Sequence, residues 1–291
     1  MNTANEQPKL FVIVLNYNGK DTLPACLASV YQSDYSNFEV VVVDNNSKDG
    51  SFEAAKNQFS RAHFIRSPQN IGFARGNNLG LRFALEKFAD FVLLLNNDAF
   101  LQKNTLSILL EAAQEKKSPA IFNPLIVNKN DQKIWFAGGK IKWLQMKNVH
   151  LTKATAAKIY PTQYCTGCAM LVSKEIFKKI GLFDERYFLY YEDADFSVRA
   201  LKAGFGLFIC PSAKVSHAEQ SCAKNKTKVY WLVLSGLLFF STNGASPQRI
   251  WFFFYFLLRK FKNLYLIVFE PSLEATQVQQ AFQAFKKLKS E

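Results

Sequence analysis

Short apolar runs and polar loops alternate along the first hundred residues. Leu10 to Leu15 (LFVIVL) is closed by Asn16-Tyr17-Asn18-Gly19, the pattern of a buried strand entering a loop. Leu23, Leu27 and Val30 then recur at helical spacing and predict a helix. Phe38 to Val43 (FEVVVV) predicts a second strand, stopped by the polar run from Asp44 to Gly50. A short helix from Phe52 and a third strand near His63 to Ile65 follow. The segment Asn70 to Asn78 reads as a loop that opens a helix carrying Leu81, Leu85 and Phe88. Phe91 to Leu95 (FVLLL) is a fourth strand, ending at Asn96-Asn97-Asp98. Regular alternation of strand and helix predicts an α/β fold with a mainly parallel central sheet covered on both faces.

Three polar clusters, Asn16 to Asn18, Asp44 to Ser47 and Asn96 to Asp98, fall at strand C-terminal ends. That edge is where open α/β sheets bind ligands. Asn, Asp and Gly are also good turn residues, so the convergence of three clusters matters more than any one. The middle of the chain changes character. Ile121 to Tyr160 holds scattered apolar residues and Gly138-Gly139, which suggests mixed or antiparallel strands. Tyr164 to Val172 (YCTGCAMLV) reads as a strand containing a glycine, and Lys174 to Ile180 as a short helix. Tyr190-Tyr191-Glu192-Asp193-Ala194-Asp195 then opens a helix that ends at Gly204. Acids in a first helical turn are favoured by the macrodipole, but three within four residues exceed what capping needs. Phe208 to Cys210 and Lys214 to His217 predict two short strands.

The C-terminal stretch is different again. From Ser221 to Glu291 there are ten basic residues and three acids, a net +7 of the chain's +13. The same stretch holds the most aromatic run, Trp251 to Phe256, followed by Leu257-Leu258. Basic charge beside clustered aromatics is what an anionic bilayer surface attracts. An apolar run from Val229 to Phe240 is too short, and Arg259, Lys260 and Lys262 interrupt the second before Leu264 to Phe269, so neither reaches the roughly 20 residues a spanning helix needs and two interfacial or re-entrant helices are expected. The polar N-terminus, Met1 to Lys9, reads as lacking a signal peptide, which predicts a peripheral protein on the cytoplasmic face. Its five cysteines are then expected to be reduced. With 291 residues, 49% of them hydrophobic, the chain has ample core and is neither disordered nor a disulfide-rich miniprotein. No nucleic-acid-binding motif accompanies the positive charge, and the sequence sets no oligomeric state.

The clusters present Asp44, Asp98, the Glu192/Asp193/Asp195 group and His217. Carboxylates near Asn-rich loops suit a hard divalent cation held partly by ligand phosphates, with His217 a further nitrogen donor. Cys165-Thr166-Gly167-Cys168 has the spacing of a redox pair or half a zinc site, but no second pair completes one, and packing around a required glycine explains it.

These residues carry a resemblance. VIVLNYNG (Val12 to Gly19), VVVDNNSKDGS (Val41 to Ser51), NIGFARGNNLG (Asn70 to Gly80), LLLNNDAF (Leu93 to Phe100), TGCAMLV (Thr166 to Val172), FDERYFLYYEDADFSVRA (Phe183 to Ala200) and the late His217 stand in one order. Together they resemble the family 2 glycosyltransferases of GT-A fold, in the rhamnosyltransferase-like branch, from about Phe11 to Ser221. The resemblance implies a GT-A domain over residues 1–220, with a donor-binding half over about 9–100 and an acceptor half over about 101–220. A basic, aromatic helical region would then fill 221–291. It implies inverting transfer of a sugar, with rhamnose from dTDP-rhamnose the leading guess, from a nucleotide-diphosphate donor to an acceptor hydroxyl. The acceptor would be a lipid-linked glycan of bacterial surface polysaccharide or lipopolysaccharide, at the cytoplasmic face of the inner membrane.

Carried over by position, the resemblance has Asp44, Asn16 and Asn18 line the donor pocket, with Asn46 and Asn97 alongside. The Asn70 to Asn78 loop, including Gly72, would close over the nucleotide, with Arg75 on phosphate. Asp98 and His217 would bind Mg²⁺ or Mn²⁺. Gly167 and Cys168 would form the acceptor-side floor. Asp193 would be the general base beside Glu192, with Asp195 as fallback. The family motif often reads Asp-x-Asp, whereas Asn96-Asn97-Asp98 offers one carboxylate, so metal binding is expected to be coupled to nucleotide binding. Two competing readings are a sugar-1-phosphate nucleotidyltransferase, for which Asn16 to Lys20 is a poor phosphate loop, and a non-catalytic peripheral membrane protein.

Overall fold

The computed structural model describes residues 7–218 and 228–290. The boundary expected near 220, Ser221 and Cys222 lie outside them. The N-terminal half runs β1 (Leu10–Asn16), α1 (Leu23–Tyr31), β2 (Phe38–Asp44), α2 (Ser51–Gln58), β3 (His63–Arg66), α3 (Gly72–Glu86) and β4 (Phe91–Asn96). These four strands are parallel in the order β4-β1-β2-β3. Their registers align Asn16 with Asp44 and Leu15 with Asn96, so the three polar clusters end at one level of the sheet. The strands are nearly wholly apolar because helices cover both faces; Leu10 to Val14 and Val40 to Val43 are buried.

The second half adds β5 (Ala99–Leu101), α4 (Thr105–Glu115), β6 (Ala120–Asn128), β7 (Ile134–Phe136), β8 (Gly139–Lys142), β9 (Lys147–His150), β10 (Tyr160–Pro161), β11 (Ala169–Ser173), α5 (Lys174–Ile180), α6 (Glu192–Lys202) and β12 (Gly206–His217). The sheet continues β10-β12-β6-β11 onto β4, with β5 on β12 and β7 on β6; β8 and β9 form a separate hairpin. Pairing is mixed here: β11 is antiparallel to β4 and β6, while β12 runs parallel to β6.

Three expectations need correction. The Asn70 to Asn78 segment is a loop only to Ile71, since α3 begins at Gly72. Asn77 and Asn78 resemble loop residues but are buried in this helix. The Asn78 amide donates to the Phe183 carbonyl at 2.9 Å and accepts the Phe183 N–H at 3.1 Å, completing a backbone that has no strand partner there. Gly76 and Gly80 let α3 press onto β1; a Cβ at either would meet Leu15 at 2.5 Å or Ile13 at 2.6 Å. Next, the two short strands expected near Phe208 and Lys214 are one strand, β12, whose register shifts between Cys210 and Lys214. Pro211 lies in that gap and cannot donate to the ladder.

The third correction concerns the C-terminal region, α7 (Lys228–Asn243), α8 (Ser246–Phe269) and α9 (Leu273–Ser290). Two interfacial helices were expected, yet α7 packs on the domain: its Leu238, Phe239 and Phe240 belong to the main core. Its Leu234 and Leu237 meet Ala281, Phe282 and Phe285 of α9 in a second cluster. Among the described residues of this region, α8 keeps a broad apolar face outward. Among the described residues no helix is long and apolar enough to cross a membrane.

Candidate active site

A cleft of about 400 Å³ opens at the C-terminal ends of β4 and β12 and the N-terminus of α6, lined among others by Asp98, Thr166, Gly167, Cys168, Glu192, Asp193 and His217. They come from four separate stretches of the sequence, and strand pairing assembles them. Antiparallel β5 sets His217 opposite Ala99 and so beside Asp98, whose Oδ1 lies 3.1 Å from His217 Nε2. Ala169 opposes Leu95 and the Asn96 N–H donates to the Cys168 carbonyl at 2.9 Å, which brings the Gly167 turn against the end of β4.

Asp193 sits in the first turn of α6. Its Oδ2 accepts the Gly167 N–H at 3.0 Å and its Oδ1 accepts the Ala194 N–H at 2.7 Å, with the Thr166 hydroxyl a third partner. Burial nevertheless holds its pKa above the usual aspartate value, the hydrogen bonds offsetting part of that rise. Glu192 is pushed well above the ordinary glutamate value, by burial first and the Asp193 charge second, and its Oε2 is buried without a hydrogen-bond partner. Asp193 has the richer set of donors, which favours it over Glu192 as the charged member of the pair. Asp195 faces other work. It accepts from Arg199 Nε at 2.8 Å and Asn243 Nδ2 at 2.7 Å, and so ties α6 to α7 outside the cleft wall.

The loop before α6 is held in an unusual shape. Tyr190 and Tyr191 have φ of 69° and 67°, left-handed conformations that cost roughly 1–2 kcal/mol each for a residue with a Cβ. Helix α7 supports them. Ser235 donates to the Leu189 carbonyl at 2.7 Å, the Tyr191 ring packs on Phe239 and Phe240 at 5.3 and 5.8 Å, and Trp231 stacks on Phe188 at 4.2 Å. Lys228 and Leu232 of the same helix complete the cleft wall.

The residues expected on the donor side form a network at the neighbouring strand ends. Asn16 Nδ2 donates to Asp44 Oδ1 and Ser51 Oγ, both at 2.9 Å, and Asn16 Oδ1 accepts from Asn97 Nδ2 at 2.9 Å. Asp44 is fully buried; it accepts the Ser47 N–H at 3.0 Å and pairs with Arg66 Nε at 3.3 Å. It therefore anchors the loop after β2 from below. Nearer the surface are exposed Asn18, whose Oδ1 accepts the Lys48 N–H at 2.8 Å, and half-buried Asn46, which accepts from Lys48 Nζ at 2.8 Å. Asn70 accepts the Gly72 N–H at 3.0 Å in a tight turn. Gly72 itself has φ of 84°, and a Cβ there would meet the Phe188 carbonyl at 2.4 Å. Arg75, expected on phosphate, donates to the Glu185 carbonyl at 3.2 Å and does not line the cleft.

Sequence reasoning missed Trp135 and His150. Trp135 lies edge-on between the His150 and His217 rings, at 4.5 and 4.7 Å. It reaches His217 through the pairing of β7 with β6 and β6 with β12, a distance no local pattern encodes. Cys165 and Cys168 are buried, and burial pushes the Cys165 thiol up, making it unreactive.

The donor set of Asp98 and His217, oxygen and imidazole nitrogen, fits a divalent cation that completes its shell with phosphate oxygens. His217 turns Nε2 to Asp98, while its Nδ1 is buried without a partner. Among the described residues no three His, Cys, Asp or Glu side chains gather as a ready-made cage, so any such cation depends on the substrate for its other donors.

A mixed α/β sheet with its acidic cleft at this edge is the GT-A fold of nucleotide-sugar transferases, and solved structures bear this out. The crystal structure of GalNAc-T7 with UDP, GalNAc and Mn2+ superposes with a TM-score of 0.61 at 17% identity, over 92% of this chain. This chain spans 59% of that chain's length. The family model described as glycosyl transferase family 2 matches residues 11–181, and the chain belongs to that family: it is a glycosyltransferase. Among its relatives, the dTDP-rhamnosyl transferase of Shigella flexneri is 25% identical over 72% of this chain and 69% of its own. The N-acetylglucosaminyl-diphospho-decaprenol L-rhamnosyltransferase of Mycobacterium tuberculosis (strain H37Rv) is 25% identical over 71% and 75%.

Proposed function

We propose that the protein moves a sugar, rhamnose from dTDP-rhamnose, onto a hydroxyl of a lipid-linked glycan with inversion, in the synthesis of bacterial surface polysaccharide or lipopolysaccharide. The observation that carries this reading is the placement of Asp193. Its carboxylate is fixed by the Gly167 and Ala194 N–H groups in the same cleft as the Asp98–His217 pair. The acceptor hydroxyl attacks the anomeric carbon as the bond to the donor diphosphate breaks. Asp193 takes the hydroxyl proton, and the nucleoside diphosphate leaves with its electron pair. One base suffices, because inversion forms no covalent intermediate. Asp98 and His217 would hold Mg²⁺ or Mn²⁺, whose charge offsets that growing on the leaving diphosphate. Exposed Asn18 and half-buried Asn46, on the loops beside the buried Asp44, would meet the nucleoside.

The relatives' names support the sugar and the prenyl-linked acceptor. The outward face of α8 supports docking on an anionic membrane, at the cytoplasmic side. Thermal stabilisation by nucleoside diphosphates and their sugars, with and without Mn²⁺, tests the donor site. A ligand at about 100 times its Kd adds about 2.7 kcal/mol. A Mn²⁺-dependent shift with thymidine diphosphate and its rhamnose sugar is expected; no shift with any nucleotide would overturn the reading.

A further inference from the structure

Beside the cleft lies a second cavity of about 250 Å³, between α8 and Tyr191, which closes the loop leading into α6. Its walls come from the β8–β9 hairpin (Met146, Lys147), α7 (Val233, Gly236), α8 (Phe252, Tyr255, Arg259) and Phe282 of α9. Tyr191 and Leu232 line both this cavity and the cleft, so the two share a wall next to the base. We propose that this cavity holds the hydrocarbon chain nearest the diphosphate of a prenyl-diphosphate-linked acceptor. The inference rests on the transfer reading above and adds to it a binding site for the lipid.

Three observations support that occupant. The walls are largely aromatic and aliphatic and contain no carboxylate, so most of a sugar's hydroxyls would lose water there without a matching partner. Two cations, Lys147 and Arg259, stand in the lining, and Arg259 is steadied by its hydrogen bond to the Tyr255 hydroxyl at 3.0 Å. A chain that is apolar along its length and dianionic at one end matches that combination. Continuity through Tyr191 and Leu232 then puts the glycan beyond the diphosphate into the cleft. A free acyl chain would match the walls but not the cations.

Calorimetry on the full chain, in buffer without vesicles, tests this with farnesyl diphosphate, inorganic diphosphate, farnesol and dodecanoate. Farnesyl diphosphate is expected to bind about ten-fold or more tightly than each of the others. Val233→Trp, which fills the cavity from α7, should weaken it about ten-fold, and Arg259→Gln should bring it close to farnesol. Both variants should keep the wild-type melting temperature and nucleotide affinity. Equal binding of farnesyl diphosphate and inorganic diphosphate, or of dodecanoate and farnesyl diphosphate, overturns the proposal. So does farnesyl diphosphate binding that neither variant changes. Nucleotide binding is read in the same titrations: its presence without prenyl binding sinks the lipid site alone, and its absence sinks the donor reading.

Discussion

Two adjacent carboxylates drawn out of bulk water cannot both carry charge cheaply, and the hydrogen bonds around them decide which one does. Glu192 has a buried oxygen with no donor, whereas Asp193 has Gly167, Ala194 and Thr166. This arrangement suits Asp193 to the role of base proposed above, with Glu192 the partner more easily protonated. Replacing Asp193 by Asn should lower turnover by about 10²–10⁴-fold while leaving nucleotide binding near its original strength. Because the folded pKa of Asp193 is raised, activity should fall as the pH drops through that raised value, sooner than an exposed aspartate would allow. A kcat/KM profile measured from acid to neutral pH checks the sign, and a flat profile would count against Asp193 as the base. Asp193, Asp98 and His217 were legible because polar residues at strand ends and helix starts stand out from apolar surroundings. Asp44 was legible as important, but its burial was not. Only the fold reveals that its oxygens face Asn16, Ser47 and Arg66 rather than an open surface.

At the scale of elements, the first four strands and their helices could be read from periodicity, since parallel strands buried on both faces leave continuous apolar runs. The start of α3 could not. Asn77 and Asn78 mimic turn residues, and their amides find partners at Phe73, Phe183 and Glu185, the last two far away in sequence. Helix α7 was misread for a related reason. A strongly apolar helix looks the same whether it faces lipid or a protein core, and here it faces the main core through Leu238, Phe239 and Phe240. Its task is to hold the left-handed Tyr190-Tyr191 pair in place. Phe239→Ala should therefore cost about 3–5 kcal/mol of stability, seen as a lowered denaturant midpoint. It should also lower kcat at temperatures where the variant remains folded. Loss of stability with unchanged kcat would mean that α7 is a scaffold with no part in positioning the loop.

Across the whole molecule, the outward face of α8 is the largest departure from an ordinary soluble surface. Ile250, Phe254, Leu258, Phe261, Tyr265 and Val268 recur at helical spacing and are all more than half exposed, with Lys260 and Lys262 flanking them. A bilayer interface would cover such a face, the lysines reaching headgroups. Changing Phe254, Leu258 and Phe261 to Glu should abolish sedimentation with anionic vesicles and leave the melting temperature unchanged; retained binding would show that α8 is not the anchor. Cutting the chain near residue 221 would be a poorer test, because it also removes Lys228, Leu232 and Ser235. The consequence reaches how such enzymes can be recombined. The family model stops at residue 181, yet Asn243 donates to Asp195 and its carbonyl accepts from Lys202 Nζ. A hybrid enzyme that swaps its membrane-facing end with a relative should therefore keep α6 and α7 from one parent, because Asn243 carries two of the contacts that join them.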